Sequence, residues 1–467
     1  MYKNIFEKIW QAHEIRRLSE TQSLLYIDRI FLHERTGSLA LQGLAKAGRV
    51  VRRKEHTFCT MDHIVDTYPG RSDDTEMPSG KEFIIATRKA SEEADIHLFD
   101  IADPDQGIVH IISPELGIAL PGSTIICPDS HTCTLGGIGA MGWGVGSTEA
   151  EHALATSTLR VNRPKTLRIH YEGTPCEDFS AKDLILHTIR TLGTAGGSGY
   201  GIEFSGNAID NLGPEARMTV CNMAVELSAF TGLIGPNQNV INWFTGRDYA
   251  PSEAQTSDAQ TYWAGLSSDV GASFDREISI DLTNVKTQIS WGTSPEHCID
   301  FDSKIPDPKS APDKTRHDAW LRALEYMALK PNTYLQNYPI QAAFIGSCTN
   351  SRLTDLKAAA DYLQRTGGRV AKGVKAICVP GSGRVKRAAE ALELDQIFIE
   401  AGFEWREPGC SMCFYAGGES FGAGARIVST TNRNFEGRQG LGARTHLASP
   451  ITVAASACAG YLCGAPL

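Results

Sequence analysis

Short runs of apolar, β-branched residues recur along the chain. Each is followed by a Gly- or Ser-rich stretch and then by an Ala/Leu/Glu segment with helical periodicity. Within residues 122–159, STIIC predicts a strand, PDSHTCTLGGIGAMGWGVG a loop and STEAEHALATSTL a helix. Residues 342–364 repeat the pattern as AAFIG, SCTNS and RLTDLKAAADYLQ, and residues 375–394 as KAICVP, GSG and RVKRAAEALEL. Strand–loop–helix units in series predict an α/β fold with ligands at the carboxyl ends of the strands. The opening MYKNIFEKIWQAHEIRR predicts an amphipathic helix, charged throughout and without the apolar core of a secretion signal. Two stretches break the rhythm. Residues 250–272, rich in Ser, Asp and Gln, predict a surface excursion or linker-like helix. Residues 293–316 are dense in Pro, Asp and Lys and predict a connector. The expected domains are therefore 1–165, 166–292 and 317–467, with 293–316 joining the last two.

Composition narrows the class. The chain has 467 residues, enough for about three domains. Its formal charge of −9 argues against a protein built mainly to hold nucleic acid. Residues 117–128 and 451–467 are the most apolar stretches, but they are short, Gly-broken or Ala-rich rather than membrane spans. A cytoplasmic location is the expectation. Twelve cysteines in so long a chain are too sparse for a disulfide scaffold and read as buried thiols, metal ligands or catalytic groups.

Cys410 and Cys413 form a CxxC in PGCSMC, a spacing open to a redox dithiol, half a zinc site or a pair of iron–sulfur ligands. Cys348 follows a predicted strand and precedes a helix, where free amides and the helix dipole favour a thiolate. There is no second CxxC and no histidine pair one turn apart to complete a zinc site. Histidines beside carboxylates supply candidate acid–base groups: Asp62–His63 in TMDHIVDT, and Asp129 with His131 in PDSHT. His110 closes the strand-like GIVH. Arg433 and Arg438, five apart in NRNFEGR, have the spacing for carboxylate capture. The loops GGIGAMGWG and PGSG lack nucleotide-loop spacing, so their glycines are expected to let backbone pass close to a cleft.

LLYIDR, TMDH, GIVH, PDSHT, CNMAVE, WGTSP, IGSCTNSR, PGSG, FIEAGFEWREPGCSMC and NRNFEGRQG follow one another from end to end. In this order they resemble the aconitase superfamily and, within it, the isopropylmalate dehydratase large subunits. The resemblance implies a three-domain aconitase-like α/β/α architecture without the C-terminal swivelling domain. It implies a [4Fe-4S] cluster with one open iron on Cys348, Cys410 and Cys413, and Asn222 near it. It pairs Asp62 with His63, Asp129 with His131, and Glu226 with His110, and makes Arg433 and Arg438 substrate-binding. It also implies a separate small subunit that brings the swivelling domain and a catalytic serine. The reaction implied is the dehydration and rehydration that interconverts 2- and 3-isopropylmalate in leucine biosynthesis. Three positions depart from the usual pattern, namely Ile64, Phe414 and Tyr415, as does LSAFTGLIGPNQNV after CNMAVE. They leave open a paralogous hydro-lyase for another small 2-hydroxy dicarboxylate of the methylated malate, maleate or citramalate type. Two more distant alternatives are an aconitase-like RNA-binding regulator, against which the acidic charge argues, and a zinc-stabilised structural protein.

Overall fold

The computed structural model describes residues 2–415 and 417–464. The last three residues of the third expected domain lie outside them. Three parallel sheets dominate. The first has strands Thr57–Thr60, Arg29–His33 and Thr124–Cys127 at its centre, flanked by His97–Phe99 and Met141–Gly144. The third has Lys375–Cys378, Ala342–Ile345 and Arg426–Ser429 at its centre, flanked by Glu404–Trp405 and Arg444–Leu447. Counted along the chain within each sheet, both have the order 3-2-1-4-5. The second, Lys165–Glu172, Tyr200–Ser205, Thr231–Leu233 and Arg276–Asp281, has the order 3-2-1-4. This is the α/β architecture that the strand–loop–helix rhythm predicts. The central strands are buried along their length, as sheets covered on both faces by helices require.

In each five-stranded sheet the strand order reverses beside the first strand. There the outgoing loops part and open a crevice. Arg29–His33 and Thr124–Cys127 frame that point in the first sheet, and Ala342–Ile345 and Arg426–Ser429 in the third. The loops that follow these four strands meet at one cavity.

Several local expectations are corrected. The segment expected as a loop from Pro128 holds 3-10 turns over Ser130–Ile138 and the edge strand Met141–Gly144. GIVH is not strand-like: His110 is the second residue of helix Val109–Glu115. The N-terminal helix stops at His13, and Glu14–Arg17 pairs as a strand. The expected connector 293–316 contains strand Cys298–Asp300, which forms a hairpin with Gln288–Ser290. Its Ile299, Phe301 and Ile305 are buried in the apolar core of the third sheet. By contrast, residues 250–272 hold the expected surface helix, Glu253–Ala264, anchored by Trp263, which is buried in the core of the first sheet with Val240, Ile241 and Phe244.

Close backbone approach explains the glycines after PDSHT. Segment Ser130–Ile138 lies flat against helix Pro214–Asn222 and strand Thr231–Leu233. A Cβ on Gly136 would stand 1.6 Å from the Gly232 carbonyl oxygen, and one on Gly137 2.4 Å from the Met218 amide nitrogen. Neither obstacle is a flexible side-chain end. Gly136→Ala should therefore destabilise the fold at or above the upper end of the about 1–3 kcal/mol typical of overpacking. Gly213→Ala, with nothing within 4 Å of the added methyl, is the control. Thermal unfolding of both variants checks this, with a Tm drop confined to Gly136→Ala.

Candidate active site

Strand Thr57–Thr60 ends at a turn held by one buried carboxylate. Glu34 accepts the backbone N–H groups of Asp62 (3.0 Å), His63 (2.7 Å), Ile64 and Val65 (3.3 Å). Burial, then the neighbouring Asp62, pushes the Glu34 carboxyl up to about 7. The turn sets His63 between two acids. Its Nδ1 lies 2.5 Å from Asp62 Oδ1, and its Nε2 lies 3.2 Å from Asp129 Oδ2. Burial alone would lower the His63 pKa. Asp62, Cys410 and Asp129 overcome it and hold the imidazole well above its ordinary value. Burial likewise works to raise both acids, and the imidazoles win: Asp62 is lowered, and Asp129 sits well below the carboxylate range. His33 stacks on His63 at 4.2 Å between ring centroids, and burial drives its pKa down to about 4.

Asp129 begins the 3-10 segment by accepting the His131 N–H at 2.7 Å. The two side chains are 3.6 Å apart, and His131 Nε2 reaches Glu226 Oε1 at 3.0 Å. Glu226 also receives Arg433 Nε at 2.7 Å. Burial acts to raise the Glu226 pKa, but His131 and Arg433 bring it below the ordinary value. The expected pairing of Glu226 with His110 is thus corrected: Glu226 holds His131. His110 is buried, faces the Thr132 hydroxyl at 3.3 Å and is driven by burial to a pKa of about 4. Its place at a helix start directs its ring behind the 3-10 segment rather than toward Glu226. The result is one line of alternating acidic and basic side chains, Asp62–His63–Asp129–His131–Glu226–Arg433.

The three expected cysteines come together on the opposite wall. Cys348 follows strand Ala342–Ile345, and Cys410 and Cys413 flank the short 3-10 turn Ser411–Cys413. Ser347 and Ser411, each beside one of them, have positive φ (75° and 46°), a conformation that costs about 1–3 kcal/mol and clusters at functional sites. Burial pushes the Cys348 thiol up to about 12 and holds that of Cys410 well above the ordinary thiol range. Yet N–H donors face the sulfurs. Asn222 Nδ2 is 3.2 Å and Asn432 Nδ2 3.4 Å from Cys348 Sγ, and Arg438 Nη2 is 3.5 Å from Cys413 Sγ. Donors without competing acceptors suit thiolates that a metal has deprotonated.

A cavity of about 340 Å³ lies between the walls, which meet where Cys410 Sγ comes within 3.8 Å of His63 Nδ1. Its lining includes His63, Asp129, His131, Cys348, Cys410, Cys413, Arg433 and Arg438 from the expected set. Asp62, His110, Asn222 and Glu226 lie behind it. Three lining residues carry buried polar atoms without a protein partner among the described residues: His33 Nδ1, Asn432 Oδ1 and Arg438 Nε. His33, Arg35, Thr36, Ser130 and Asn432 also line the cavity but were not expected. The polar run HERT, directly after a strand, is the sequence signal that marks the first three. Donor atoms of His33, Glu34, Asp62 and His63 lie within 4.8 Å of one another. The Glu34 oxygens are committed to backbone amides, and Asp62 to His63 and the Val109 N–H, so this group is occupied by the protein itself.

The sequence model of the aconitase family (aconitate hydratase) matches residues 7–460. The chain is 49% identical over 460 residues to 3-isopropylmalate dehydratase large subunit 1 of Bradyrhizobium diazoefficiens, covering 98% of this chain and 96% of that one. A solved structure, the holo-form of Thermococcus kodakaraensis aconitase X, aligns with a TM-score of 0.46 at 13% identity, over 88% of this chain and 84% of that one.

The charge line has a signed consequence for stability. His63, with a raised pKa, stabilises the fold fully below its ordinary value near 6.5, and this is lost as pH rises through its folded pKa. Asp62 and Asp129, with lowered values, contribute above the ordinary carboxylate range near 3.8 and lose it as pH falls through theirs. Between those limits the contribution is whole. In the cluster-free chain, Asp129→Asn should lower the His63 pKa measured by imidazole NMR by about one unit or more. It should also reduce stability at neutral pH more than at pH well above the folded His63 value.

Proposed function

The chain belongs to the aconitase family, and on that premise we propose that it is the large subunit of a [4Fe-4S] hydro-lyase that interconverts 2- and 3-isopropylmalate. The observation that carries the reading is the convergence of Cys348, Cys410 and Cys413, faced by N–H donors, on a cavity that also receives His63 and two arginines. Bound there by three thiolates, a four-iron cluster would supply a Lewis-acidic iron with no protein ligand. Arg438, with a free Nε, and Arg433 hold substrate carboxylate. His63, kept as imidazolium by Asp62 and Asp129, gives a proton to the departing hydroxyl and takes one back from water on rehydration. Glu226 and His131 fix the Arg433 guanidinium. A separate small subunit, implied by the relative's being a large subunit, closes the cavity and brings the serine base that takes the substrate's C–H proton. This places the protein in leucine biosynthesis, and a cytoplasmic setting is consistent with that role. No helix among the described residues is long and apolar enough to cross a membrane.

One observation favours a second reading. Of the three departures from the usual pattern, only Phe414 lines the cavity; Ile64 is buried outside it and Tyr415 faces solvent. The Phe414 ring stands 5.7 Å from His63 and carries the Arg35 guanidinium at 4.9 Å. A bulky, cationic wall there favours a smaller or more polar substituent than isopropyl, and so a paralogous hydro-lyase for another 2-hydroxy dicarboxylate.

Anaerobic reconstitution should yield visible iron–sulfur absorption with sulfide present, and Cys410→Ser should abolish both. Zinc without sulfide would refute the assignment. With its small subunit, the enzyme should turn over isopropylmalate, and Asp62→Asn should lower kcat by about 10²–10⁴-fold. Turnover of a smaller hydroxy acid, with none of isopropylmalate, would establish the second reading.

A further inference from the structure

Lys182 is fully buried, the second residue of helix Ala181–Leu192 in the second region of the chain. Three features of its placement are costly. A buried ammonium loses its hydration, a cation in the first turn opposes the helix dipole, and no carboxylate lies within ion-pair distance among the described residues. Its hydrogen bonds run to two backbone carbonyls far along the chain, Thr430 O at 2.9 Å and Thr431 O at 2.6 Å. A residue that breaks local rules at such cost is one whose contact matters elsewhere.

The carbonyls it holds belong to the loop after strand Arg426–Ser429. The next two residues are Asn432, whose amide faces Cys348, and Arg433, which is bound to Glu226. The same loop is tied to the cysteine loop: the Thr430 hydroxyl accepts the Gly346 N–H and donates to the Gly346 carbonyl, both at 2.9 Å.

We propose that Lys182 is a positioning residue: by clamping the Thr430 and Thr431 carbonyls it sets Asn432 against the cysteine sulfur and Arg433 in the cavity. Lys182 thereby aligns the substrate arginine and the cysteine loop without itself touching either substrate or sulfur. The kinetic part rests on the function proposed above; the structural part does not.

The test compares Lys182→Met and Lys182→Arg. In the cluster-free chain, amide hydrogen exchange is read at Thr430, bonded to Phe344 O, and Thr431, bonded to the Ser429 hydroxyl. Lys182→Met should speed exchange there by about tenfold or more, with strand Thr124–Cys127 unchanged, and Lys182→Arg should restore most of the protection. In the reconstituted two-subunit enzyme, Lys182→Met should raise KM at least about tenfold through Arg433, with a smaller fall in kcat. Should Lys182→Met not fold, Lys182→Gln, which keeps N–H donors without charge, is read in its place. Wild-type exchange at Thr430 and Thr431, or equal acceleration across all three sheets, would overturn the proposal. If neither wild type nor variant turns over isopropylmalate, the functional assignment fails while the exchange data still decide the clamp.

Discussion

The Asn222 side chain is the point on which all three parts of the molecule bear. Fully buried, it donates from Nδ2 to the Thr134 hydroxyl at 2.8 Å and to Cys348 Sγ at 3.2 Å, and accepts the Thr349 hydroxyl at 2.9 Å. Thr134 lies in the segment after the first sheet's fourth strand, Asn222 ends a helix packed on that segment, and Cys348 follows the third sheet's first strand. A buried amide left without partners costs about 1–3 kcal/mol, so these groups are held in one relative arrangement. The acid–base wall and the cysteine wall face one another across the cavity because this contact and the glycine packing beside it fix their separation.

The electrostatics follow from the same geometry. Each wall buries groups that need partners. Carboxylates as buried as Asp62 and Asp129 need imidazolium neighbours, and buried thiols become thiolates only against N–H donors and a metal. The acid–base wall meets the first need with His63, and the cysteine wall is prepared for the second by Asn222, Asn432 and Arg438. The unpartnered atoms of His33, Asn432 and Arg438 remain inside the cavity, where a ligand would meet them.

Much of this was legible in the sequence, for a physical reason. Residues that act at the carboxyl ends of parallel strands follow apolar runs directly, so Asp62–His63, Asp129–His131, Cys348 and the CxxC are marked by their position in the rhythm. What was not legible depends on packing between distant segments. Glu226 lies on a short 3-10 turn whose facing partner is set by the second sheet, so its contact with His131 rather than His110 has no sequence signature. Glu34 and Lys182 are charged residues turned inward to backbone groups, and a linear pattern reads such residues as solvent-exposed. The segment 293–316 has the composition of a linker, yet a hairpin and three apolar side chains bury part of it. The motif resemblance supplied the ligand set and the partner, which spacing alone left open.

The central claim is that three distant cysteines, presented by two loops of the third sheet, form one metal-binding wall of the cavity. Diffraction from crystals of the anaerobically reconstituted protein, measured on both sides of the iron absorption edge, tests it most directly. The account predicts one iron–sulfur cluster bound to Cys348, Cys410 and Cys413, with an iron facing His63 across the cavity and none at the other nine cysteines. Iron at the His33–Glu34–Asp62–His63 group, or a single tetrahedral metal at the cysteines, would contradict it.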